Sequence, residues 1–205
     1  MGNRKIRGLH SDSSFLGKMT GRSDCLFEKS REKFFERSDE MNELFTFYLH
    51  ELDHYRPDEL IHHIDHDTWS ISQMYDHLIV VSHEYLDEVE ACQFAPVTES
   101  GKSPFGERLF TAGAFPATPI RLPDTMNAPP DETDQIERLR TRWRQLSDRH
   151  AALATIAQST ASDQKTRHGG MGWLNAAEWY ALVSYHLAHH QHQKRRLDAA
   201  LANRT

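Results

Sequence analysis

Four stretches of this 205-residue chain repeat their apolar residues at steps of three and four, the period of a helix that buries one face. The first runs from Leu26 to about Arg56 through Phe34, Met41, Leu44, Phe45, Tyr48, Leu52 and Tyr55, and Pro57 stops it. Ser70 and Gln73 form a Ser-x-x-Gln capping box that opens the second. Its stripe is Ile71, Met74, Leu78, Val81, Tyr85 and Val89, ending near Phe94. The third spans about Glu132 to Ala161, with Ile136, Leu139, Trp143, Leu146, His150, Leu153 and Ile156 or Ala157 on one side. Asn175 with Glu178 makes a second capping arrangement and opens the fourth, which runs to about Leu201. Four long amphipathic helices and no convincing strand predict an all-α four-helix bundle.

Seven of the eight prolines fall between Pro96 and Pro130, so regular helix is not expected between helices two and three. Phe105, Phe110 and Phe115 lie in the same stretch, and a long loop covering one end of the bundle accommodates both facts. Residues 57–69, PDELIHHIDHDTW, read as a connection with at most a single helical turn, and Gly169, Gly170 and Gly172 punctuate the last loop. Residues 1–24 mix Gly, Ser, Arg and Asp with no apolar period and are expected to form a flexible arm, leaving 25–205 as the bundle domain. The length suits one such core rather than two.

The chain carries a net charge of -6, and its basic residues form no long stripe, which argues against nucleic acid as a partner. Lys194-Arg195-Arg196, the one basic run, sits near the end of the fourth predicted helix and complements its dipole. No run approaches the roughly 20 apolar residues that span a bilayer. The start of the chain lacks the apolar centre of a secretory signal, and Ile6 stands where a myristoylation motif wants Ser or Thr. A cytoplasmic protein with no membrane partner is the expectation. Cys25 and Cys92 are too few for a disulfide framework and are expected as reduced thiols, Cys92 packed in a helix.

Fourteen histidines are the unusual feature. Two histidines four apart on a helix share a face, and three neutral imidazoles with an open fourth position make a catalytic type of metal site. The chain offers three such pairs: His50/His54, His62/His66 and His186/His190. At about 100° per residue, His50 and His54 point away from their helix's stripe and read as solvated. His62 and His66 lie in a connection rich in aspartate and read as a polar loop. His186 and His190 fall beside the stripe of Trp179, Leu182, Val183, Gln193 and Leu197. Buried there, they need a metal ion or hydrogen-bonding neighbours such as Tyr, Gln or carboxylate. His189 lies at the edge of that stripe without a partner four residues on, and His192 turns away. A third ligand must come from another helix: His77 flanks the second stripe and His150 lies on the third, while His83 lies further round. Periodicity leaves His77 and His150 unresolved. Glu51/His54 and Glu59/His62 have the Glu-x-x-His spacing of di-iron bundles, but neither is on a core face, so that architecture is rejected.

The segment TWSISQMYDHL, residues 68–78, and the later GWLNAAEWYALVSYHLAHHQHQKRRL, residues 172–197, resemble the DinB/YfiT-like superfamily over roughly residues 28–202. The resemblance rests on the Trp-Ser opening of helix two, the His-Leu that follows, and the His-x-x-x-His of helix four. It implies a four-helix bundle in which His77, His186 and His190 hold a divalent transition metal, zinc, nickel or iron. Trp69 and Ser70 then read as a structural entry to helix two, and Trp173 and Trp179 as packing residues near the site. The family contains members that resemble thiol-dependent transferases, maleylpyruvate isomerases and the first domain of ergothioneine-forming oxygenases, along with many of no known activity. The expected activity is therefore a metal-dependent hydrolase or thiol S-transferase, acting on a small-molecule substrate with water or a small thiol, in a homodimer. A non-catalytic, stress-related metal-binding dimer is the alternative. Glu84 and Glu88 share the face of His77, where a base or an imidazole acceptor could sit, but a solvated helix edge accounts for both. The insertion at 95–131 is the chain's own and is expected to bear on the substrate.

Overall fold

The computed structural model describes residues 40–116 and 129–203. The expected arm at 1–24, and the start of the first predicted helix, lie outside these residues. The chain divides into two compact units, Met1–Asn42 and Glu43–Thr205.

Residues 40–51 are helical (α1) and pass into a 3₁₀ turn, Leu52–His54. The helix gives out before Pro57 because the proline ring disfavours helical backbone just ahead of it, and Arg56 is extended at φ -84°, ψ 158°. Pro57 then starts a one-turn helix, α2 (Pro57–Leu60), whose Leu60 is fully buried. Ser70 caps α3 (Ile71–Cys92) as its sequence requires: Ser70 Oγ accepts from the Gln73 N–H at 3.3 Å, and Gln73 Oε1 accepts from the Ser70 N–H at 3.1 Å. Burial on α3 is wider than the predicted stripe, because Tyr75, Ile79 and Leu86 are buried as well.

The proline-rich stretch is not wholly irregular. A nine-residue helix, α4 (Pro104–Ala112), is capped by Ser103 and closed by Gly113 in the left-handed region at φ 67°. Pro104 sits at the first position, where its missing N–H costs nothing, and no other proline intervenes before Pro116. α5 (Ile136–Ser159) buries Leu139, Trp143, Leu146, His150, Leu153 and Ala157, the predicted face. It starts later than its pattern suggests because the residues before it are bound elsewhere. The Asp131 N–H donates to Asp76 at 2.9 Å, the Thr133 N–H to Ser72 at 3.2 Å, and His63 meets Glu132 at 2.8 Å. α6 (Ala176–Ala202) opens on the Asn175/Glu178 capping box.

One expectation fails: the chain is not free of strand. β1 (Lys165–His168) and β2 (Gly172–Asn175) pair antiparallel, with Thr166 opposite Leu174. Isolated bridges join Val97 to Gln164 and Lys102 to Gly172, so the insertion's first segment lies along the hairpin. Gly172 permits this approach: its φ is 85°, and a Cβ would stand 2.5 Å from the Ser103 nitrogen.

The described residues are otherwise mostly helical, with α3 packed on both α5 and α6 and α5 on α6. Aromatic side chains bind these helices to α1. The Tyr48 hydroxyl donates to the Leu187 carbonyl at 2.8 Å, Tyr75 to the Tyr48 carbonyl at 2.7 Å, and Trp143 Nε1–H to the Phe45 carbonyl at 3.0 Å. Lys194 is also inside, only 1 % exposed, paired with Glu51 and, at 2.8 Å, with Asp198. Arg195 and Arg196 beside it are exposed. Among the described residues no helix is long and apolar enough to cross a membrane.

Candidate metal centre

His77 stands on α3, and His186 and His190 stand one turn apart on α6, the helix that packs against it. The four-residue step puts the α6 pair on one face. The three rings converge. His77 lies 4.9 Å from both His186 and His190, centroid to centroid, and the α6 pair lie 4.7 Å apart at 88°. The Nε2 atoms of His77 and His186 are 3.0 Å apart, and one ligand nitrogen from each ring lies within 4.8 Å of the others. Imidazoles bound tetrahedrally at the usual 2.0–2.1 Å hold their nitrogens roughly 3.3 Å apart, so modest side-chain movement completes a cage.

Protonation favours ligation. Burial pushes His77 down to about 4 against the opposing Asp76 carboxylate, and pushes His190 to about 3. His186, fully enclosed and facing two further imidazoles, lies well below the usual range. All three rings are therefore neutral at pH 7 and have lone pairs to donate. Gln193 Oε1 accepts from His190 Nδ1 at 2.7 Å, which assigns that proton to Nδ1 and turns the Nε2 lone pair toward the cluster. His186 Nδ1 is buried without a partner among the described residues. A donor set of neutral nitrogens fits a borderline divalent cation.

Aromatic side chains wall the cluster. Trp69 lies 4.9 Å from His77, Tyr85 5.9 Å from His186, and Trp179 5.8 Å from Tyr85. Phe115, just beyond α4, stands 6.4 Å from His186 and 5.7 Å from His189. The first end of the insertion thus reaches the site. His168, which no helical spacing could single out, joins the same wall from the hairpin, 5.4 Å from Trp179. Its Nδ1 accepts from the backbone N–H groups of Gly170 and Met171 at 3.0 and 3.2 Å, so the neutral ring carries its proton on Nε2. The only sequence signal for it was a histidine immediately before Gly-Gly.

The remaining histidines separate cleanly. His150 is buried away from the cluster, stacked 4.0 Å from Tyr180, whose hydroxyl lies within hydrogen-bond distance of its Nδ1 at 3.0 Å. His83 faces Arg149 at 3.2 Å, His192 is exposed, and His189 is half-buried beside His190. His66 lies exposed against Asp67, and His62 is half-buried in the same connection. Glu84 is exposed and Glu88 half-buried, and neither accepts a hydrogen bond from the three converging rings. Cys92 is a buried thiol whose Sγ meets Thr166 and the Leu174 carbonyl.

No curated protein and no solved structure matches the chain. A family model does: the one described as the DinB superfamily matches residues 27–193, from before α1 to the turn that follows His190. A match over most of the sequence, spanning every element that places the three imidazoles, makes this chain a member of the DinB superfamily.

Proposed function

We propose that this protein is a metal-dependent enzyme in which α1, α3, α5 and α6 form a four-helix bundle around one divalent transition ion. His77, His186 and His190 would hold it. Zinc, nickel and iron all suit three imidazoles. The observation that carries the reading is the convergence of three neutral rings from two helices, with no carboxylate among them. When bound, such an ion lowers the pKa of a water or thiol and presents it to an electrophile.

The chain's own part is to hold the nitrogens and keep them unprotonated, with Gln193 fixing one tautomer. Trp69, Tyr85, Trp179 and Phe115 exclude bulk water and offer apolar walls to a small-molecule substrate. Hydrolysis, or S-transfer from a small thiol, is the reaction class this supports. Because Glu84 and Glu88 leave the rings untouched, the non-catalytic metal-binding reading stands as the second one.

Protein purified without a nickel column is expected to retain about one equivalent of metal, and His186→Ala to lose it. Unchanged occupancy in the variant would remove this site. Turnover in a screen of small thiols and electrophiles separates the enzyme from the non-catalytic protein.

A further inference from the structure

A second group of ligand atoms stands outside the bundle. His50 and His54 are exposed at the end of α1, their rings 4.9 Å apart at 64°, and Glu51 lies between them in sequence. One ligand atom from each of the three residues lies within 4.8 Å of the others. We propose that His50, Glu51 and His54 form a second, weaker surface site for a divalent transition metal, independent of the buried histidines.

Three features favour a cation here. The four-residue step brings the two imidazoles together edge to face on one side of the helix end, and exposed side chains have the rotamer freedom to close the cluster around an ion. Residues 50 and 51 end the α-helix and His54 ends the 3₁₀ turn that follows, so the negative end of the helix dipole lies at the cluster. The local charge also has the right sign. Glu51 is paired with Lys194, but Lys194 is shared with Asp198, so two carboxylates face one ammonium. Imidazole with carboxylate suits zinc, nickel or copper in preference to magnesium or calcium.

The test is titration of metal-stripped, tag-free full-length protein with zinc in competition with a chromophoric chelator. Wild type is expected to bind two equivalents of different affinity. His50→Ala/His54→Ala should weaken the second at least tenfold and leave the tighter one in place, whereas His77→Ala/His186→Ala should do the reverse. Both substituted surface residues are exposed, so the first variant is expected to fold as wild type does. If the surface variant titrates like wild type, or wild type binds one equivalent that only the buried variant loses, the surface site is refuted and the buried one stands. If wild type binds one equivalent that only the surface variant loses, the surface site stands and the buried centre falls.

Discussion

His150 stacks on Tyr180 and is hydrogen-bonded to its hydroxyl, and burial holds it near 4 instead of 6.5. Between those values the unfolded chain binds the proton and the folded chain does not, so stability falls as pH drops through that window and levels off below it. The full span is worth roughly 3 kcal/mol. With chelator present, urea midpoints at pH 7 and pH 4.5 should therefore differ less in His150→Phe than in wild type; equal differences would contradict this account. Gln193 allows a second single-residue measurement. Gln193→Leu leaves His190 Nδ1–H without its acceptor and is expected to lower zinc affinity by about 10–100-fold, while Gln193→Glu retains it. Competition with a chelator reads both. His77 and His150 were indistinguishable by spacing, since each lies beside an apolar stripe. Both face α6, and what separates them is the level at which they meet it, Tyr180 for His150 and His186 with His190 for His77; a single stripe does not encode that.

At the scale of elements, the hairpin and the 101–103 segment are joined by the Trp173 N–H to the Gly101 carbonyl at 3.1 Å and the Ser103 N–H to the Met171 carbonyl at 2.7 Å. Gly172→Ala forces an L side chain into a left-handed conformation and against this backbone. A loss of about 1–3 kcal/mol is expected, with faster amide exchange in residues 101–113 than in α3. Uniform acceleration across both would contradict a local effect. α3 and α6 could be read from sequence because stripe and cap agree, Ser70 with Gln73 and Asn175 with Glu178, and α5 from its stripe alone. The hairpin could not: Lys165–His168 and Gly172–Asn175 are four residues each and show no alternation of apolar and polar side chains. α4 was hidden by the density of prolines around it, although Pro104 at its first position and Pro116 beyond its cap are both places a helix tolerates.

For the molecule as a whole, an ion on His77 and His186 would tie together two helices whose candidate ligands are 109 residues apart. Binding to the folded chain alone stabilises it by mass action, about 2.7 kcal/mol at a hundredfold excess over Kd. Zinc is thus expected to raise the melting temperature, a chelator to reverse the rise, and His186→Ala to abolish most of it; a zinc response unchanged in that variant would count against the cage. The long helices α3, α5 and α6 were legible because each carries an amphipathic face, and the α6 histidine pair was legible because it sits beside such a face. Lys194 was not, since its burial depends on Glu51 arriving from α1 and on Asp198 one turn further along its own helix. The insertion has its own consequence. Its near end is stitched to the hairpin before α6, and its far end to the start of α3 through Gln73, Ser72 and Asp76. At both ends the segment is held through its own backbone, so side chains at those anchors can change without loosening it.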